Sequence, residues 1–132
     1  MNQSEPKLIL GILNTGRDRR ALTEALCDDC WKLEVCDRMA NARPFLPDAS
    51  VVVCDDKLVD GNWKDLLARL EVLPSDPPLI VTSRLADERL WAEVLNSGGY
   101  DLLAEPFRTE EVVRSVQLAS DSLRNDHKTD VG

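Results

Sequence analysis

The stretch Val51-Val52-Val53-Cys54-Asp55-Asp56 constrains the fold of this chain more than any other. Three consecutive β-branched residues run straight into two carboxylates and a turn, Lys57-Leu58-Val59-Asp60-Gly61. The run is too short for a helix and reads as a strand buried on both faces, the kind found mainly in parallel sheets. In an open parallel sheet, reactive groups gather where strands end at their carboxyl edge, so Asp55 is the first candidate for function. The competing reading makes Asp55 and Asp56 only the start of a solvated loop.

The rest of the chain alternates in the same manner. Lys7 to Leu13 is an apolar run suited to a central strand, and Gly11 inside it predicts close approach by a neighbour. After the turn Asn14-Thr15-Gly16, residues Leu22, Ala25 and Leu26 recur at helical spacing until Asp28-Asp29. Trp31, Leu33 and Val35 alternate with Lys32 and Glu34, as in a short strand exposed on one side. From Asp37 to Asp48, Pro44 and Pro47 limit the chain to one or two helical turns. Trp63, Leu66, Leu67 and Leu70 then share a helical face that ends near Pro74.

Leu79 to Thr82 is a fourth buried strand, ending in Ser83. Asp87 can cap a helix with Leu90, Trp91, Val94 and Leu95 on one side, and Gly98-Gly99 offers its left-handed stop. Tyr100 to Ala104 is a fifth strand running into Glu105-Pro106-Phe107, and Thr109 is placed to cap a last helix bearing Val112, Val116, Ala119 and Leu123. Five strands alternating with five helices predict an α/β domain, flavodoxin-like and doubly wound, with a five-stranded parallel sheet in the order 2-1-3-4-5. The expected bounds are an N-terminal extension (1–6), the domain (7–124) and a flexible C-terminal tail (125–132). That order makes Leu13/Asn14, Asp55 and Ser83 neighbours, with Glu105 beside them.

Length and charge narrow the function. With 132 residues the chain suits one domain, and 43% hydrophobic with 30% charged residues fits a soluble globular protein. No apolar stretch approaches the ~20 residues that cross a bilayer, so no membrane association is expected. Met1-Asn2-Gln3-Ser4-Glu5-Pro6 has no basic segment leading into an apolar one, which makes the cytoplasm the expected compartment. A net charge of -8 opposes attraction to a polyanion, so no direct nucleic-acid binding is expected. Cys27 and Cys30 form a C-x-x-C without the second half of a zinc site, since Cys36 stands alone and the one histidine is His127. With Asp28 and Asp29 raising thiol pKa values, all four cysteines, Cys54 included, are expected to be buried, reduced and inert.

Three segments, CDDKLVDG, PPLIVTSR and GGYDLLAEPF, stand in an order and at separations that resemble the CheY-like receiver domain of bacterial two-component response regulators. The resemblance runs from about Lys7 to about Leu123. It implies a phosphorelay function: a histidine kinase passes a phosphoryl group to Asp55, the carboxylate nucleophile, and the Ser83 hydroxyl bonds it. It also implies a magnesium site, here reduced to Asn14, Asp55 and the Lys57 backbone carbonyl. The chain departs from the family where an acidic pair becomes Leu13 and Asn14, where the lysine becomes Glu105, and where the switching aromatic becomes Leu102. Arg84 replaces a small residue.

The expectation is therefore an atypical receiver, a pseudo-receiver that is not an enzyme, needs no cofactor and binds Mg2+ at most weakly. It would act by protein-protein interaction with a histidine kinase or another signalling protein, or as a homodimer. The interface candidates are Trp91, Leu102, Val113 and Leu118. Glu105 would present a repelling charge to a phosphoryl group, and Arg84 or Lys57 would reach inward as counter-charge. One alternative is a conventional receiver phosphorylated on Asp55. Another is a small phosphate- or nucleotide-binding module that uses Asn14-Thr15-Gly16 as its loop.

Overall fold

The computed structural model describes the backbone of residues 6–131 and the side chains of residues 6–122. Strands β1 (Lys7–Ile12), β2 (Trp31–Cys36), β3 (Val51–Asp55), β4 (Leu79–Ser83) and β5 (Asp101–Ala104) alternate with helices α1 (Gly16–Ala25), α2 (Met39–Ala42), α3 (Trp63–Glu71), α4 (Glu88–Ser97) and α5 (Thr109–Val131). The five strands form one parallel sheet in the order β2-β1-β3-β4-β5, as the alternation predicts. Helix α5 runs through residues 125–131 of the expected tail (125–132); the side chains there and all of residue 132 lie outside the described residues.

Side-chain alternation along the strands divides the core into two layers. Ile9, Leu13, Val51, Val53, Ile80 and Leu103 face α1 and α5, meeting Leu22, Val112 and Val116. Leu10, Ile12, Val52, Cys54, Leu79 and Val81 face the other helices, meeting Met39, Leu66, Leu70 and Val94. All five residues of β3 are buried, which accounts for a strand with no polar alternation. Gly11 is needed for the approach of α1, since a Cβ there would stand 2.5 Å from Leu22 Cδ2.

Local signals set the helix ends. Thr15 caps α1, Asp87 caps α4, and Asn62 forms a capping box with Asp65 at α3. Gly98 stops α4 at φ +110°, a conformation that glycine adopts without a Cβ penalty. Thr109, expected as a cap, is the first residue of α5 instead, and the Val112 amide bonds the Arg108 carbonyl. Between β2 and β3 the chain makes the short α2 and then a 3-10 turn over Arg43–Asp48 that accommodates both prolines.

The turn after β3 is more ordered than its composition announces. Lys57–Leu58 and Gly61–Asn62 pair antiparallel as a two-rung ribbon. At its tip, Asp60 accepts from the Met39 and Ala40 amides, both at 3.0 Å, so the ribbon supplies the cap of α2.

The cysteines divide, against expectation. Cys36 and Cys54 are buried, but Cys27 and Cys30 are exposed, because the α1–β2 connection leaves the core after Leu26, the residue that ends α1, and lies outside both layers. Burial holds the Cys54 thiol far above its ordinary range, and a hydrogen bond to Asp28 raises that of Cys30. Among the described residues, no helix is long and apolar enough to cross a membrane.

Candidate functional site

Strand periodicity assembles the cleft. Val51 and Val53 face α1 and α5, so Asp55 continues that row at the carboxyl end of β3. The parallel register pairs Asp55 with Thr82, which continues the row of Ile80. Glu105, two residues beyond Leu103, follows on the same side. Ser83 has the opposite parity, and its hydroxyl donates to Asp56 Oδ2 at 3.2 Å and accepts from the Leu85 amide at 3.0 Å. The hydroxyl that meets Asp55 is therefore that of Thr82, a residue the sequence reading treats only as part of a strand.

Asp55 is 4% exposed and both of its oxygens are engaged. The Asn14 amide donates to Oδ2 at 2.6 Å, and Thr82 Oγ1 lies 3.0 Å from Oδ1. The same Thr82 oxygen lies 2.6 Å from Glu105 Oε2. One hydroxyl carries one proton, so bridging two carboxyl groups requires a second proton on one of them. Glu105 is the group that keeps it. Burial first, and then hydrogen bonding to and the charge of Asp55, push its pKa up to about 8, with the Thr82 hydrogen bond opposing and Asp18 adding to the rise.

This changes the electrostatics expected of the cleft. At neutral pH Glu105 is a neutral hydrogen-bonding group rather than a repelling charge, and the excess of negative charge is relieved by a proton. Arg84 Nε stands 3.8 Å from Glu105 Oε1, beyond hydrogen-bonding distance, on a side chain that is 67% exposed. It contributes little there. Lys57 is exposed, and its carbonyl accepts from Asn14 Nδ2 at 2.6 Å.

Asp18 is the other residue that sequence reasoning missed. It lies in the first turn of α1, buried, with carboxylate oxygens of Asp18, Asp55 and Glu105 all within 4.8 Å of one another. The signal was present: Asp18 and Leu22 are four apart on one helix face, and Leu22 belongs to the core. Once a cation displaces the proton of Glu105, three carboxylates match the oxygen preference of a hard divalent ion. By donor type the structure fits magnesium through Asp18, Asp55 and Glu105, whereas Asn14 and Lys57 bond each other and Leu13 lies in the core. The cleft encloses about 430 Å³ and also reaches Asp56, Arg84 and Leu85.

A second concavity lies on the neighbouring face. Trp91, Leu102 and Leu118 line a groove of about 770 Å³ between α4, β5 and α5. Trp91 and Leu118 are each 49% exposed. Val113, the fourth interface candidate, packs partly on the α5 core layer and borders Leu118 on the outer side of the helix.

No family model and no curated protein matches the chain. Solved structures do. The signal receiver domain of an HD domain-containing protein from Pseudomonas fluorescens Pf-5 superposes with a TM-score of 0.83 at 20% identity, covering 97% of this chain and 96% of that one. The beryllofluoride-activated NtrC4 receiver domain dimer gives 0.78 at 16% identity, with 88% and 98% covered. A response regulator from Burkholderia pseudomallei, with a phosphorylated aspartic acid, a calcium ion and citrate, gives 0.71 at 16% identity, with 94% and 74% covered. The shared property at these identities is the fold, and the fold of this chain is that of the receiver domains.

Proposed function

We propose that the chain is a receiver-like signalling domain of a two-component phosphorelay, of an atypical kind that acts through protein-protein contact with little or no magnesium-dependent phosphorylation. The observation that carries this reading is the Asp55–Thr82–Glu105 network. It holds the carboxylate of Asp55 and the hydroxyl of Thr82 together beside Glu105, a carboxyl that burial and the neighbouring Asp55 keep protonated, where the resemblance implies a lysine. Transfer to Asp55 would bring three phosphoryl oxygens beside Glu105, and the basic side chains that line the cleft, Lys57 and Arg84, are both exposed. A missing preorganised contact of this kind costs about 3 kcal/mol in the transition state, roughly a hundredfold in rate. Asp55 must also give up hydrogen bonds that now satisfy both of its oxygens. The partner in this reading is a histidine kinase or another signalling protein.

A conventional phospho-accepting receiver is the second reading, favoured by the Asp18/Asp55/Glu105 cluster. A divalent cation held there would neutralise charge on the phosphoryl oxygens. Acetyl phosphate with magnesium, followed by intact mass, separates the two. The unaltered chain should take up no phosphate, and Asn14→Asp combined with Glu105→Lys should take it up in a manner abolished by Asp55→Asn. Stoichiometric labelling of the unaltered chain would return the protein to the conventional class.

A further inference from the structure

We infer that the groove between α4, β5 and α5 receives a cationic amphipathic helical segment of another protein, not a second copy of this chain. The inference rests on the receiver-like reading and specifies the partner of its interaction face. The floor of the groove is apolar: Trp91 from α4, Leu102 from β5 and Leu118 from α5. Trp91 and Leu118 stand half out of the protein, whereas Trp63 is 5% exposed in the core. Large, rigid anchors of this type carry most of the energy when a helix is laid into a groove.

The walls decide which helix. Asp87 and Glu88 at the start of α4, Asp101 on β5 and Glu111 on α5 confront a single Arg114, which leaves the lining with a net three negative charges. Arg89 and Arg108 are exposed and do not line it. A two-fold dimer through this face would set the same patch against itself, three negative charges facing three. Like-charge juxtaposition of that kind costs several kcal/mol. A segment with leucines along one face and lysines or arginines along the other meets both the floor and the walls.

The probe is a fluorescein-labelled synthetic helix with leucines at i, i+3, i+4 and i+7 and lysines elsewhere, compared by anisotropy with the same helix carrying glutamates for lysines. The lysine helix should bind the unphosphorylated chain, more weakly as salt rises, and the glutamate helix should not. Trp91→Ala and Leu118→Ala should each weaken binding by about tenfold or more. Asp87→Asn with Glu111→Gln should flatten the salt dependence. Val72→Ala, at an exposed residue outside the groove, should change nothing. Sedimentation of the chain alone should show a monomer.

Equal binding of both helices, binding indifferent to Trp91→Ala and Leu118→Ala, or a dimer dissolved by Leu118→Ala would each overturn the inference. Circular dichroism confirms that the variants fold. Binding seen only after labelling of Asp55 would support the groove and its partner class while overturning the phosphate-independent reading of function.

Discussion

Thr82 is the residue on which the cleft turns, because its hydroxyl touches both carboxyl groups and is 0% exposed. Thr82→Val keeps the shape but removes the donor to Asp55 and the bridge to Glu105, leaving buried oxygens short of a partner. A loss of about 1–3 kcal/mol is expected in denaturant unfolding. Ser83→Ala removes a 3.2 Å contact to Asp56, which is partly exposed, and should cost less than Thr82→Val in the same measurement. The order of these two effects separates the two hydroxyls. It was legible in principle, since counting alternate residues from Ile80, the partner of Val53, places Thr82 beside Asp55. The sequence reading aligned the hydroxyl to the end of the strand, where the last residue has the wrong parity.

At the scale of elements, the sheet and its helices follow from period, capping and breakers, each a local property. Gly11 is the clearest test of how β1 and α1 meet. Gly11→Ala would set a methyl 2.5 Å from Leu22 Cδ2, in a packed layer where Leu22 is 0% exposed. The expected cost is about 1–3 kcal/mol by thermal or urea unfolding, as in other overpacked cores. The ribbon after β3 is the counterexample to local reading. Lys57-Leu58-Val59-Asp60-Gly61 spells a turn, and its two rungs of pairing hold because Asp60 reaches α2, about twenty residues upstream. Trp91 makes the same point on a helix surface. Its spacing with Leu90 and Val94 suits a packed face, yet the packed stripe of α4 is centred on Val94 and leaves the indole half exposed.

For the whole molecule, the proton on Glu105 becomes a dependence of stability on pH. The native state keeps this proton up to about 8, whereas the unfolded chain releases it near the ordinary glutamate value of about 4.3. Between those values the native state binds more protons than the unfolded state, so each rise in pH favours unfolding. Stability contributed by this group is therefore present in full below the lower value, declines through neutrality and is gone above the upper one. Glu105→Gln should flatten that part of the curve, measured as urea midpoints from pH 5 to pH 9. A midpoint profile unchanged by Glu105→Gln would show that the proton is not held there. The sequence by itself determined the strand order, the two-layer core and the position of Asp55, because hydrophobic period, caps and crossover handedness act locally or through general packing rules. Only the tertiary structure decided that Asp18, Asp55 and Glu105 approach within 4.8 Å of one another, that burial beside Asp55 raises the pKa of Glu105, and that Trp91 and Leu118 share one acidic groove. Those facts depend on distances and desolvation among residues far apart in the chain, quantities that arise only once the sheet has brought the elements together.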